Sequence, residues 1–183
     1  MTRLTLRPMT RADLPLMSHW LAAPHVHAWW GDNPAPDSVE SEYGPSLDGT
    51  DPARLRIALQ DGRPVGFIQW YAMSDEPEYV DVLSSVIPIL DGDMSLDYLI
   101  GEADALGHGA AAVMIRLAAD EIWHDVPSAH RIIVPVHATN RASWRSLENA
   151  GFRRIAEGEL EPDFATDDHR HVLYSATRSK VAE

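Results

Sequence analysis

Apolar and polar positions alternate along this chain in patterns that divide it into short strands and amphipathic helices. Leu4-Thr5-Leu6 alternates as a first strand. Thr10-Arg11-Ala12-Asp13 has the form of a capping box with Thr10 as N-cap, and Leu14, Met17, Trp20 and Leu21 follow at helical spacing until Pro24. The aromatic stretch from Pro24 to Gly31 predicts a loop or short helical turn, and residues 37–43 suit a second short helix. Residues 56–59 and 65–71 predict two strands, and Asp61-Gly62 between them marks a tight hairpin because both residue types tolerate positive φ. An acidic loop, Asp75-Glu76-Pro77-Glu78, comes next, and residues 96–100 suit a further strand. A run of alanine and glycine then leads into a helix with Val113, Met114, Leu117 and Ala118 expected on one face. Residues 131–136 predict a buried strand, and residues 139–150 a helix stopped by Gly151. Residues 152–155 and 171–176 predict a closing antiparallel pair. Strands interleaved with helices in this order imply an α/β fold with a mixed sheet covered on both faces. No linker or repeat interrupts it, so residues 1–183 are expected to form a single domain.

Composition narrows the function classes. The formal net charge is -13, which repels nucleic acid phosphates and attracts cations. That charge serves either general solubility or a site for a polycation. With no cysteine, disulfides, thiolate metal sites and a cysteine nucleophile are excluded. Nine histidines are present, but none falls in a metal-binding motif, so no metal is expected. No apolar run reaches membrane-spanning length and no export signal is recognisable, which together predict a cytoplasmic protein without membrane or nucleic acid partners.

The stretch Leu106-Gly107-His108-Gly109-Ala110-Ala111-Ala112 lies between a predicted strand and a predicted helix. Small residues there let the backbone approach a ligand, and the free N–H groups of a first helical turn suit a pyrophosphate. Taken alone, such a run also serves simply to pack helix against strand. About thirty residues later comes Asn140-Arg141-Ala142-Ser143-Trp144-Arg145-Ser146-Leu147-Glu148-Asn149-Ala150-Gly151-Phe152. Glycine-rich turn, helix, buried strand and this N-x-x-S-x-x-x-L-E-x-x-G-F run together resemble the acetyl-CoA-binding core of the GNAT superfamily of N-acetyltransferases. The resemblance implies the GNAT fold, a mixed and mostly antiparallel twisted sheet flanked by helices, with acetyl-CoA as acetyl donor. It further implies that Leu99, Ile100, Gly107, His108, Gly109, Ala110, Ala111, Ala112, Asn140 and Ser143 hold the donor. Leu106 departs from the glutamine or arginine that usually opens the loop.

The N-terminal half adds Arg7-Pro8-Met9-Thr10, Asp13-Leu14, Trp20-Leu21, Trp29-Trp30-Gly31 and Glu42-Tyr43-Gly44-Pro45. These resemble the opening of the aminoglycoside 6'-N-acetyltransferases and of their siderophore-acylating relatives. By that likeness the substrate is an aminoglycoside, and the chain acts as a monomer or homodimer. Trp29 and Trp30 would wall the sugar site, Asp97 would be the general base and a substrate contact, and Asp168 would bind substrate. The alternatives are a packing role for the tryptophans, a turn aspartate at 97 and a solvated charge at 168. Two departures bear on the chemistry. Those enzymes carry an aspartate where this chain has Pro135, and a tyrosine, usually taken as the general acid, where it has Leu147. The Asn140/Ser143 pattern looks instead like the ribosomal-protein N-terminal acetyltransferases, and Ser143 becomes the catalytic hydroxyl or a helix cap. These departures leave open a 2'-amine of a kasugamycin-like compound as acceptor, or, as an alternative, a siderophore-precursor or protein amine.

Overall fold

The computed structural model describes residues 3–162, 166 and 168–178, so the extreme ends of the expected 1–183 domain lie outside the described residues. In chain order the elements are β1 (Leu4–Pro8), α1 (Leu14–Leu21), α2 (Pro24–His27), α3 (Pro36–Asp48), β2 (Arg54–Gln60), β3 (Arg63–Ala72), α4 (Pro77–Leu83), β4 (Asp93–Ile100), α5 (Ala110–Asp125), β5 (Arg131–His137), α6 (Arg141–Asn149), β6 (Arg153–Glu159) and β7 (Arg170–Thr177). The strands make one seven-stranded sheet in the order β1-β2-β3-β4-β5-β7-β6. Every neighbouring pair is antiparallel except β4 and β5, which run parallel.

Strand alternation sends side chains to two separate cores. Ile68, Trp70, Leu96, Ile132 and Val134 pack beneath α5 with Met114, Ile115, Ala118 and Ile122. Ile57, Phe67 and Leu99 pack on the other face with Met17, Trp20, Leu21, Val39 and Tyr43 of α1 and α3. A third, smaller cluster joins Met73 and Leu83 to Leu160 and Leu173.

Most predicted elements are present, and the exceptions have identifiable causes. Asp61 and Gly62 both take positive φ, 51° and 86°, as the hairpin requires. Gly151 at φ 97° closes α6 in a Schellman motif, with Phe152 N–H donating to the Leu147 carbonyl and Gly151 N–H to that of Glu148. Pro24 does more than end α1: it occupies the first turn of α2, where its missing N–H costs nothing. The second helix extends to Asp48, past Gly44 and Pro45, and stops at left-handed Gly49. The acidic loop is partly helical, because Leu83 of α4 reaches the third core and Pro77 starts the helix. On α5, Met114 and Ala118 are buried as expected, but Ile115 and Ile122 share that face, while Val113 and Leu117 are only half-buried.

Just after β4 the chain passes against Trp20, whose ring is wholly buried and whose Nε1 donates to Glu102 at 2.9 Å. A Cβ on Gly101 would lie 2.1 Å from the Trp20 ring. Gly101→Ala is therefore expected to destabilise the protein by about 2 kcal/mol or more through overpacking. Thermal melts check this, and a midpoint within about 1 °C of wild type would show that the ring moves aside freely.

Candidate active site

β4 and β5 share only three rungs, Asp93↔Arg131, Met94↔Ile132 and Ser95↔Ile133. This end is clamped. Asp93 is fully buried and accepts from Arg131 Nε at 2.8 Å and from the Leu90 N–H at 2.8 Å, with a second contact to Arg131 Nη2. Ser95 Oγ donates to the Ile133 carbonyl at 2.9 Å. Beyond that rung the strands part, and Leu96, Asp97 and Tyr98 face Val134, Pro135 and Val136 across a cleft. Pro135 is tolerated inside a central strand because one of its flanks has no ladder to donate to.

Two cavities open from the parting. The first, of about 520 Å³, is largely apolar and runs along Leu99 and Ile100 to the start of α5. Gly107 and Gly109 stand there at φ 76° and 81°, and neither would bring a Cβ within 4 Å of another group. What these positions require is thus the left-handed backbone, not space. The first helical bond of α5 runs from Val113 N–H to the Gly109 carbonyl, so the N–H groups of Ala110, Ala111 and Ala112 have no intrahelical acceptor. No side chain caps this end. The cradle suits an anionic group approached by backbone alone, and the apolar groove behind it suits an extended aliphatic arm. Of the ten residues the sequence assigned to the donor, all but His108 line this groove; His108 is exposed beside it.

The second cavity, of about 410 Å³, is acidic. Asp32, Glu42, Asp51, Glu76 and Asp97 line it, and among the described residues no lysine or arginine does. Asp97 is paired across the ladder with Gln69, whose Nε2 donates to Asp97 Oδ2 at 3.1 Å. Tyr71 sits two cross-strand pairs further on, and burial followed by the nearby Asp97 charge holds its phenol well above the usual tyrosine range. Partial burial raises Glu42 and Glu76 above the ordinary carboxylate range, and the neighbouring acids add to this: Asp32, Asp51 and Glu76 act on Glu42, and Asp51, Asp75 and Glu78 on Glu76. The carboxylates thus repel one another across the cleft. Aromatic rings complete the walls, with Trp29 stacked at a tilt 6.1 Å from His137, and His137 edge-on to His171 at 5.3 Å. His137 Nε2 donates to the Asp168 carbonyl at 2.7 Å, and its Nδ1 lies 2.8 Å from Thr139 Oγ1. Because a carbonyl only accepts, this fixes the hydrogen on Nε2.

Five residues line both cavities: Trp29, Trp30, Tyr98, Asn140 and Ser143. Asn140 Oδ1 caps α6 by accepting from the Ser143 N–H at 3.2 Å. Ser143 in turn meets Tyr98, whose Oη lies 2.7 Å from Ser143 Oγ and donates to the Ser143 carbonyl at 3.0 Å. Asp168 stands apart from this junction. Its carboxylate takes two bonds from the Arg170 guanidinium, at 2.9 and 2.8 Å, and one from the Arg170 N–H, which hold it far below the usual aspartate range. It does not line the acidic cavity.

The structure therefore brings Asp97, Trp29, Trp30, Asn140 and Ser143 together and leaves His108 and the Asp168 carboxylate outside. Sequence reasoning missed Tyr98, Glu42, Glu76 and His137. Tyr98 had a usable signal, since it follows Asp97 on a strand and so projects to the opposite face, toward α6. The other three come together only through contacts distant in sequence.

Comparison with known proteins agrees with this geometry. Residues 9–160 match the family model described as an acetyltransferase (GNAT) domain. The aminoglycoside N(6')-acetyltransferase type 1 of Klebsiella pneumoniae is 29% identical over 154 residues, covering 82% of this chain and 74% of the relative. The crystal structure of aminoglycoside acetyltransferase AAC(6')-Ib in complex with coenzyme A and kanamycin superposes with a TM-score of 0.79 at 26% identity, covering 96% of this chain and 95% of the other. A structure of the same enzyme with ribostamycin and coenzyme A gives 0.79 at 25% identity over 98% of both chains. With its parted parallel strands, glycine cradle and matched length, the chain belongs to the GNAT acetyltransferase family.

Proposed function

We propose that this protein transfers the acetyl group of acetyl-CoA to an amino group of an aminoglycoside. The observation that carries this reading is the meeting of two unlike cavities at one junction. One has backbone N–H groups for an anion and an apolar groove, and the other has carboxylates and aromatic walls for a polyamine sugar. In this reading the pyrophosphate of the donor rests on the N–H groups at the start of α5, and its pantetheine arm follows Leu99 and Ile100. Trp29 and Trp30 stack on the acceptor, whose ammonium groups neutralise Glu42, Glu76 and their neighbours. Asp97 takes a proton from the reacting amine, directly or through water, because only a neutral amine attacks a thioester. Asp168 acts at the rim through its carbonyl, which orients His137. Dependence on acetyl-CoA favours the cytoplasm as the compartment of this reaction.

Pro135 supplies no carboxylate to the cleft wall, so the acceptor panel should pair compounds with a 6'-amine, such as kanamycin and ribostamycin, with a kasugamycin-like 2'-amine. Release of CoA thiol with at least one of them is expected. No release from any member at saturating acetyl-CoA refutes the reading.

Three variants test its parts. Asp97→Asn should lower kcat by about 10²-fold, the usual scale for loss of a general base, while leaving acetyl-CoA affinity near wild type. Wild-type kcat at every pH would remove Asp97 from the mechanism. For the donor cradle, Gly109→Val forces a β-branched residue into the left-handed region. It should raise the acetyl-CoA KM roughly tenfold or more, as expected when charge-assisted N–H bonds are lost. His108→Ala should have little effect, and the reverse ranking would reassign the loop.

The carboxylate cluster gives a pH-dependent test. A carboxyl whose pKa is raised on folding contributes stability that is present below its unfolded value, about 4.3 for glutamate, and is lost as pH rises through the folded value. Glu42 is such a group, through partial burial first and then its acidic neighbours. Glu42→Gln should therefore melt higher than wild type near pH 7.5, with the gain gone near pH 4. The same variant should raise the acceptor KM severalfold with kcat little changed, since it removes binding common to ground and transition states. Melting curves at both pH values and acceptor titrations decide the matter.

A further inference from the structure

We propose that the Tyr98 hydroxyl is the catalytic group that protonates the departing sulfur of the donor, and that Ser143 is its positioning residue. This rests on the acetyl-transfer reading above and extends it to a residue that the resemblance to aminoglycoside acetyltransferases does not supply. The likeness places a tyrosine at position 147. In this chain that position is Leu147, fully buried in the core beneath α5, with no proton to give.

The placement of Tyr98 is specific. It follows Asp97 on β4, beyond the last rung shared with β5, and it lines both cavities. Adjacent strand residues project to opposite faces, so base and acid stand on either side of one stretch of backbone. The body of the ring packs against the core under α5, leaving the hydroxyl at α6.

The hydrogen bonds fix which way the protons point. The Ser143 carbonyl only accepts, so the hydrogen between it and Tyr98 Oη, 3.0 Å away, belongs to the phenol. One phenolic hydrogen cannot also serve Ser143 Oγ at 2.7 Å, so the serine hydroxyl donates to Oη. A phenol that gives up its hydrogen here keeps a donor aimed at the resulting phenolate. The serine itself is the poorer acid, because an aliphatic hydroxyl is less acidic than a phenol; in the reaction the phenolic hydrogen turns from the Ser143 carbonyl to the sulfur, while the serine hydrogen stays on Oη. Burial opposes the phenolate and keeps Tyr98 protonated across the neutral range, so the hydrogen is present when needed.

The step balances. Asp97 first takes the ammonium proton of the acceptor and passes it to solvent; the neutral amine nitrogen then bonds to the thioester carbon, and the N–H proton it loses goes to Asp97. The carbon–sulfur bond breaks with its electron pair on sulfur, and that pair takes the proton of Tyr98. The amide and free CoA thiol leave. The tyrosine then regains a proton from solvent as Asp97 releases one.

The test uses the full chain with acetyl-CoA and whichever aminoglycoside of the panel the wild type acetylates best. Tyr98→Phe keeps the ring and should lower kcat at least about tenfold, with acetyl-CoA KM within about threefold of wild type, as expected for a group acting in the transition state. Ser143→Ala should give a smaller loss of kcat. Site-specific replacement of Tyr98 by 2,3,5-trifluorotyrosine preserves shape and makes the phenol more acidic. The alkaline limb of its kcat profile should then fall at lower pH than in wild type, by about one unit or more, because that limb reports the essential acid. A structural hydroxyl would not move the limb. Wild-type kcat in Tyr98→Phe, or an unmoved limb in the fluorinated protein, overturns the assignment while acetyl transfer stands. Absence of thiol release by the wild type overturns both.

Discussion

Neighbouring parallel strands that separate partway leave backbone donors and acceptors without ladder partners, a condition a folded chain tolerates only where something else satisfies them. Here the separation is forced from one end. The buried Asp93–Arg131 pair and the Ser95–Ile133 bond fasten the first three rungs of β4 and β5, and Pro135 removes a donor just past them. Neighbours hold the rest of each strand in place: β4 stays paired with β3 as far as Ile100, and β5 with β7 as far as His137. The opening is thus a rigid feature of the sheet, and both cavities grow from it. A ligand arm laid between the strands would meet backbone groups whose orientation is already fixed, and that preorganisation spares the ordering cost of binding.

The same division handles an electrostatic conflict. A protein of net charge -13 that takes CoA must receive a polyanion, and a carboxylate-lined cleft a few ångströms away must receive a polycation. Within a Debye length of about 8 Å these fields interact. The donor groove avoids the difficulty by carrying little side-chain charge, Arg145 being its one arginine among the described residues. Its attraction for phosphate comes from the N–H groups and dipole at the start of α5, which act over about one helical turn. Burial first, and then the neighbouring acids, raise Glu42 and Glu76, and a cleft lined by so many carboxylates favours an acceptor bearing several ammonium groups. Acceptor selectivity and folding stability pull in opposite directions here.

How much of this was legible in the sequence depended on how local each signal is. The hairpin at Asp61-Gly62, the stop at Gly151 and the cradle at Gly107 and Gly109 are set by backbone conformations that glycine permits, and all three appear where expected. Asp97 and the tryptophan pair were found by resemblance, and the structure gathers them at one cleft. Helix α4 was missed because its stabilising contact, Leu83 on Leu160 and Leu173, joins residues far apart in sequence. Asp168 is a different case. The resemblance made it a substrate contact, with a solvated charge as the alternative; its carboxylate pairs with Arg170 two residues away, and its carbonyl reaches the wall of the cleft through His137. Pairings at short range on an irregular segment leave no periodic trace in sequence.

The Tyr98–Ser143 contact shows how a fold can keep a chemical requirement while its residues change. A proton donor at the junction of the cavities need not come from α6, because β4 faces the same point from the other side of the opening. Leu147 then becomes part of the apolar core, where a buried hydroxyl would need a hydrogen-bond partner; the Tyr174 hydroxyl in that core already donates to Glu148 at 3.0 Å. Asn140 fixes the first turn of α6 through the Ser143 N–H, and that cap sets the position of the serine hydroxyl. The N-cap is thereby coupled to the chemistry: it holds Ser143, Ser143 holds Tyr98, and Tyr98 stands one residue from Asp97 on a strand whose geometry is locked by the clamp at Asp93. Acid and base are kept in register by the same backbone, so a shift of β4 against α6 would disturb both at once.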